Sequence, residues 1–433
     1  MAGYLKIALI AVLSLLVLSL FDGPAGATDK QPLPLSVQRV LFEAQTMVGE
    51  KRYGDARRRL EDYRREKERT HYLIEFSLGD IRLMTKAYAQ AAQAYRKALK
   101  LEPDFAPAWM NLGKTLYELG DYPASADCFH RAYRTAADPH PERLYYSAAA
   151  YLMAEMPQQG LAVFTTLVET HATDIKLEWK PTLVQLYLDL EKAREALPVI
   201  EELAAESTGS QRMQWQETLL GQYLLLGKTD QALAYARELT RTAPTVPRWW
   251  KARSHILLQQ SDHEMALEAL MIYAKLTDLN KTEQRLLADL NLQVGIPSRA
   301  AHYYRDLAND APDAEVITRL AHTLRMIDRP AEALEQIDRF LKSQPSPNLL
   351  WMKGELLYEM KRYPAAADTF RLCTQDRSQT GRAWLMAGYA SWRAQDLLSA
   401  KEAFKRASTY PEQKKSALAA LKAMEAAPAE SGS

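Results

Sequence analysis

The chain has 433 residues, with 55 Lys+Arg against 54 Asp+Glu, and 47% of it is hydrophobic. The cancelling charge argues against a nucleic-acid partner, because no global basic field is left to hold a polyanion; the apolar content excludes wholesale disorder. With only 17 glycines and 2 cysteines, glycine-rich phosphate loops, turn-dense β architectures, disulfide scaffolds and Cys-based zinc modules are also excluded.

The first element is an export signal. Lys6 precedes the uncharged apolar run Ile7 to Phe21, then Asp22-Gly23-Pro24 and the small triplet Ala25-Gly26-Ala27. A positive start, an apolar core and an A-x-A end are what signal peptidase reads. The run is shorter than the ~20 residues a spanning helix needs. Cleavage after Ala27 is therefore favoured over a retained anchor, and no cysteine lies nearby to carry a lipid. No later stretch approaches 18 uncharged apolar residues. The mature chain is expected to be exported and periplasmic, with a lead-in over residues 28–36.

From residue 37 onward a period of about 34 organises the chain. In the clearest unit Trp109, Leu112, Gly113 and Leu116 lie on one helical face. Gly120-Asp121-Tyr122-Pro123 breaks that helix, and Ser125, Phe129 and Ala132 mark a second. Leu78, Gly79, Ala91 and Tyr95 fill the same slots one period earlier; Gly354, Ala366, Phe370 and Gly388, Ala400, Phe404 fill them near the end. Unit starts fall near 37, 72, 106, 141, 177, 213, 247, 281, 314, 347 and 381, spaced 33 to 36 residues apart. Length alone suggests about three domains; the period replaces them with one array. Residues 412–427 read as a terminal helix with Leu418, Leu421 and Met424 on its packing face, and residues 428–433 as a polar tail.

This pattern resembles the tetratricopeptide (TPR) repeat, a helix pair with small and large residues in fixed slots and a closing proline. The resemblance implies an all-α, right-handed superhelical solenoid of about eleven helix–turn–helix units over residues 37–410, closed by the helix at 411–427. Cys128 and Cys373 then lie seven units apart, too far to pair, and are expected to be buried. Units 1, 4 and 7 are the least regular, with Gly160 in an alanine slot and Arg253-Ser254 where Leu-Gly is usual.

No His-Glu-x-x-His motif, nucleophile elbow, Walker loop or dinucleotide fingerprint is present. No catalytic residue, cofactor or metal is assigned, and an enzyme built from distant helices is left as the lesser alternative. Two surfaces are candidates for binding. Arg57, Arg58, Arg59, Arg64 and Arg65 with Lys67 and Arg69 form either a solvated outer face of an end unit or a contact for anionic lipid heads of the inner membrane or an acidic partner.

The second candidate follows from the resemblance. First-helix positions 2, 5, 9 and 12 line the TPR groove. Here they include Tyr145, Leu152, Glu217, Leu224, Lys251, His255, Leu258, Arg285, Asp289, Leu292 and His322. In units 9 to 11 they give Arg325, then Trp351, Glu355 and Tyr358, then Leu385, Tyr389 and Trp392, an aromatic stretch with Arg325 and Arg382 beside it. Aromatics beside Arg are the usual anchors of protein recognition, so a peptide segment of an envelope complex is expected there. The pairs Leu41/Gln45, Phe76/Asp80 and Met110/Lys114 do not match the Lys and Asn that hold a partner's terminal carboxylate in some TPR proteins.

Residues 290–301, residues 382–389 and Ala403 to Ala407 running on to Tyr410-Pro411 also resemble exported bacterial TPR proteins found alongside the TonB–ExbB–ExbD system. That resemblance, over residues 247–424, implies a periplasmic accessory of energy transduction to the outer membrane. Scaffolds of polysaccharide, cell-wall, secretion or outer-membrane assembly are the alternatives.

Overall fold

The computed structural model describes residues 33–66, 70–310, 312–375 and 380–426. The expected export signal, most of the lead-in, Lys67, Arg69 and the tail at 428–433 lie outside the described residues. Among those described there is no strand, and no helix is long and apolar enough to cross a membrane.

The chain divides into two compact halves at Lys228/Thr229. The first half holds α1 (Leu35–Gly49), α2 (Tyr53–Glu66), α3 (Tyr72–Met84), α4 (Tyr88–Leu101), α5 (Ala106–Glu118) and α6 (Tyr122–Arg134). It continues with α7 (Pro141–Met153), α8 (Pro157–Thr170), α9 (Lys180–Asp189), α10 (Ala193–Glu206) and α11 (Gly209–Leu225). The second half holds α12 (Thr229–Thr242), α13 (Pro247–Gln259), α14 (His263–Leu276), α15 (Lys281–Gln293), α16 (Pro297–Asp310) and α17 (Ala314–Met326). It ends with α18 (Pro330–Leu341), α19 (Pro347–Glu359), α20 (Tyr363–Cys373), α21 (Thr380–Arg393), α22 (Leu397–Ala407) and α23 (Pro411–Ala426).

The turn inside each helix pair carries the period independently of side-chain pattern. One residue per turn adopts φ near +60 to +80°: Lys51, Lys86, Gly120, Glu155, Glu191, Gly227, Ser261, Gly295, Asp328, Lys361 and Gln395. The following N–H reaches back five residues to a carbonyl, for example Asp121 to Leu116 at 2.9 Å and Ile296 to Asn291 at 2.7 Å. That bond satisfies an orphan carbonyl of the first helix and reverses the chain, as in a Schellman cap. Eleven such turns recur, 33 to 36 residues apart; ten of them join two helices of the same half. Only three of the eleven use glycine.

Packing within a pair rests on a size match at a spacing of sixteen. A Cβ placed on Gly79, Gly113, Gly354 or Gly388 would come within 2.9 Å of the ring of Tyr95, Phe129, Phe370 or Phe404 respectively. Those rings are fully buried, so glycine is the residue that lets the second helix seat an aromatic there. Where the slot holds serine, the side chain donates to a carbonyl of another helix. Ser147 Oγ reaches Ala126 O and Ser254 Oγ reaches Ala266 O, both at 2.9 Å. This accounts for the departure at Arg253-Ser254: a hydroxyl with a buried acceptor replaces the missing hydrogen.

Three details differ from expectation. Unit 5 starts as a 3₁₀ turn (Leu177–Trp179), and α11 begins at Gly209, ahead of the expected 213. Trp179 stacks on Tyr145, centroids 4.9 Å apart, which needs the irregular connection. On α23 the buried residues are Ala417 and Ala420, with Leu421 and Met424 packed beside them. Leu418 faces solvent, because the stripe runs i, i+3, i+4, i+7 from Ala417. Both cysteines are buried and free.

Candidate functional site

The units 9 to 11 groove is built on α17, α19 and α21. Each first helix sinks one stripe, such as Leu349, Met352 and Leu356 on α19 or Ala383, Ala387 and Ala390 on α21. The neighbouring face carries the predicted contacts, and the structure sorts them into two kinds. Trp351 and Leu385 are core residues. Trp351 packs edge-on to Phe370 at 5.2 Å and its Nε1–H donates to Glu355 at 2.7 Å. Arg382 from the next unit lies 4.4 Å over the same indole, with its guanidinium 3.9 Å from Glu355. Leu385 is buried with Ala400, Phe404 and Ala417.

Tyr358, Tyr389 and Trp392 are half-buried and form the available aromatic surface. Tyr389 and Trp392 meet Phe404 edge-on at 5.1 and 6.3 Å, and Tyr358 meets Tyr363 at 5.3 Å. Their hydroxyls and indole N–H make no hydrogen bond among the described residues. Arg325 is tied to Glu359 of the following unit. Beside that pair an open cleft of about 420 Å³ is lined by His322, Arg325, Met326, Asp328, Pro330 and Glu359.

The wider groove of the second half carries ion pairs that sequence reading missed. Lys251 meets Glu283 at 2.6 Å, and the Tyr273 hydroxyl donates to that buried carboxylate at 2.9 Å. Arg285 reaches Asp313 at 2.8 Å and Glu315 at 3.1 Å; Arg319 reaches Asp289 at 2.8 Å. Each pair links adjacent units, so the usable signal was a cation and an acid roughly one period apart. Among groove positions, burial and the Lys251 charge hold the His255 imidazole below its ordinary value.

In the first half the same register holds Asp80. The Tyr95 hydroxyl donates to it at 2.7 Å and Asn111 Nδ2 at 2.8 Å. Burial raises the Asp80 carboxyl to about 7, against the pull of those two bonds and of Lys114. Burial also holds the Lys114 amine below its usual range. Tyr145 is buried under Trp179 and is not groove lining.

The arginine cluster on α2 is largely neutralised. Arg58 pairs with Asp55, Arg59 with Glu43 at 2.6 Å, Arg64 with Glu75 at 3.4 Å and Arg65 with Asp62 at 2.6 Å. Arg57 alone of the five has no ion-pair partner among the described residues. Such pairing suits a solvated face better than an open cationic one. No group of His, Cys, Asp or Glu able to hold a metal occurs among the described residues.

Two segments match family models: residues 79–120 one described as TPR repeat, and residues 318–379 one described as Tetratricopeptide repeat. No curated protein matches the chain. Among solved structures, a tetratricopeptide repeat protein from Parabacteroides merdae is 16% identical with a TM-score of 0.36, covering 60% of this chain and 100% of that one. The structure of Naa15/Naa10 bound to HypK-THB gives 16% identity and a TM-score of 0.42, over 88% of this chain and 64% of that chain. Each half thus holds one segment that matches a tetratricopeptide-repeat family model.

Proposed function

We propose that this TPR-repeat protein is a non-catalytic, exported scaffold that binds an extended or helical segment of an envelope protein along the groove of units 9 to 11. The observation that carries the reading is the half-buried set Tyr358, Tyr389 and Trp392, whose polar tips lack partners among the described residues. Rings of this kind offer apolar area at low entropic loss, and their free donors suit the backbone of a bound segment. Arg382 and Glu355 rim the site, while Trp351 holds it from beneath.

The signal-like N-terminus, Lys6 to Ala27, supports a periplasmic setting for that scaffold, and the resemblance over residues 247–424 supports the TonB–ExbB–ExbD system as its partner. Pull-down from membrane extract with the mature protein, read by mass spectrometry, is the test. TonB, ExbB or ExbD in the eluate supports the setting; polysaccharide synthases move the scaffold to envelope assembly. Tyr389→Ala with Trp392→Ala should weaken capture by at least ~30-fold, the effect of a hot spot of about 2 kcal/mol. Phe404→Leu, which loosens the packing underneath, should lower the melting temperature yet retain capture. Loss of capture in both variants would overturn the groove assignment.

A further inference from the structure

Five cations gather on α4 and α6. Arg96, Lys97 and Lys100 lie on α4 with no acid on that helix. Arg131 and Arg134 lie on α6 with Asp127 as its one acid. All five are exposed, and none forms an ion pair among the described residues. They differ in this from Arg58 and Arg65, tied to an acid within a helix turn, and from Arg285 and Arg319, tied to one on a neighbouring repeat.

Between these helices and α5 lies a cleft of about 410 Å³. Its floor is apolar: Leu99, Leu112, Leu116 and Cys128 are all buried. Burial pushes the Cys128 thiol up to about 12, so the sulfur serves there as an apolar atom and not as a nucleophile. Arg96 and Lys100 stand on the α4 lip. Trp109 forms a wall, with its Nε1–H tied to Pro103 O at 2.7 Å and Arg131 lying 5.0 Å over its ring. Asp127 is the acid on the α6 lip, and it already accepts the Tyr151 hydroxyl at 2.6 Å.

We infer that the α4–α6 cleft docks an acidic protein segment, which seats one large apolar side chain on the Leu99–Leu112–Cys128 floor and sets its carboxylates against Arg96, Lys100 and Arg131. Charge complementarity selects the acidic partner. The apolar floor distinguishes a protein segment from a bare polyanion, which would satisfy the cations and leave the floor wet. An exposed ion pair adds little by itself, so the apolar side chain supplies the hold and the cations supply steering and register. This surface is independent of the groove in units 9 to 11.

The probe is a fluorescein-labelled dodecapeptide of glutamates bearing one leucine and one phenylalanine a helical turn apart. Its control replaces both apolar residues with serine. Anisotropy titrations against the full chain should show saturable binding of the first peptide and at least about tenfold weaker binding of the control. Arg96→Glu with Lys100→Glu should weaken binding by about tenfold or more and flatten its salt dependence. Ala124→Trp, which fills the cleft from α6, should remove the preference for the apolar peptide. Both variants should keep the wild-type melting profile, and Tyr389→Ala with Trp392→Ala should bind the probe normally. Equal binding of the two peptides reduces the site to a polyanion patch and overturns the proposal, as does binding that survives charge reversal. Self-association that Arg96→Glu abolishes would make the occupant a second copy of the chain, which overturns it as well.

Discussion

Asp80 in the first half and Asp289 in the second occupy the same place in their repeats. Each follows a small residue, Gly79 or Ala288, and each accepts the hydroxyl of a tyrosine fifteen positions on, Tyr95 or Tyr304. Each also receives a donor from the next first helix, but here the two part. Asn111 offers Asp80 a neutral amide, whereas Arg319 offers Asp289 a full charge at 2.8 Å. The first arrangement leaves a carboxyl raised to about 7 by burial. The second makes its carboxylate one rung in a series of inter-unit ion pairs. One repeat geometry thus tolerates two electrostatic solutions, and the halves should answer differently to steric change, pH and salt.

The largest effect is expected from making the Asp80 repeat sterically like its counterpart. In Gly79→Ala the new Cβ would stand 2.5 Å from the Tyr95 ring. That ring cannot swing aside without breaking its bond to Asp80, so a loss of about 1–3 kcal/mol follows from overpacking. Urea denaturation checks it. An unchanged midpoint would mean that the two slots share one backbone spacing, since Ala288 coexists with a buried Tyr304.

Next comes the charge itself. The folded value of Asp80 lies above its ordinary 3.8, so folding favours the neutral acid. Its contribution is fully present below about pH 4 and is lost as pH rises through about 7. Asp80→Asn keeps an acceptor for Tyr95 and Asn111 while removing that dependence. The variant should match wild type near pH 4 and exceed it at pH 8 by an amount on the order of 1–3 kcal/mol. Melting temperatures across that range decide it, and a constant offset would refute the assignment. The converse change, Arg319→Asn, gives Asp289 the neutral partner of Asp80. Both side chains of that pair are partly solvated, so the loss is about 1 kcal/mol or less and should shrink in high salt.

The small slots were legible because Gly79, Gly113, Gly354 and Gly388 answer a steric demand that each unit meets alone. The ion pairs were not, because each joins residues on successive units and depends on inter-unit register. Trp351 sits at a groove position yet is core, since Arg382 covers its face and Glu355 takes its N–H; only the neighbouring unit could reveal that. The turns were legible by period but not by residue type. A search for glycine finds Gly120, Gly227 and Gly295 and misses the eight turns where a side chain is forced to positive φ.

That last contrast yields the smallest test. The turn after α3 uses Lys86 at φ 57°, and the turn after α15 uses Gly295 at φ 83°. Both close with the same bond, Ala87 N–H to Arg82 O and Ile296 N–H to Asn291 O, each at 2.7 Å. A lysine in this region carries a Cβ–carbonyl conflict of roughly 1–2 kcal/mol that glycine lacks. Glycine in turn loses more chain entropy on folding, about 0.5–1 kcal/mol. The steric relief exceeds the entropic loss, so Lys86→Gly should stabilise the first half by about 0.5–1 kcal/mol. A rise in the urea midpoint with unchanged slope is the expected result. A fall would show that the Lys86 side chain contributes something at the turn beyond its backbone angle, and that the two turns are not equivalent despite their shared hydrogen bond.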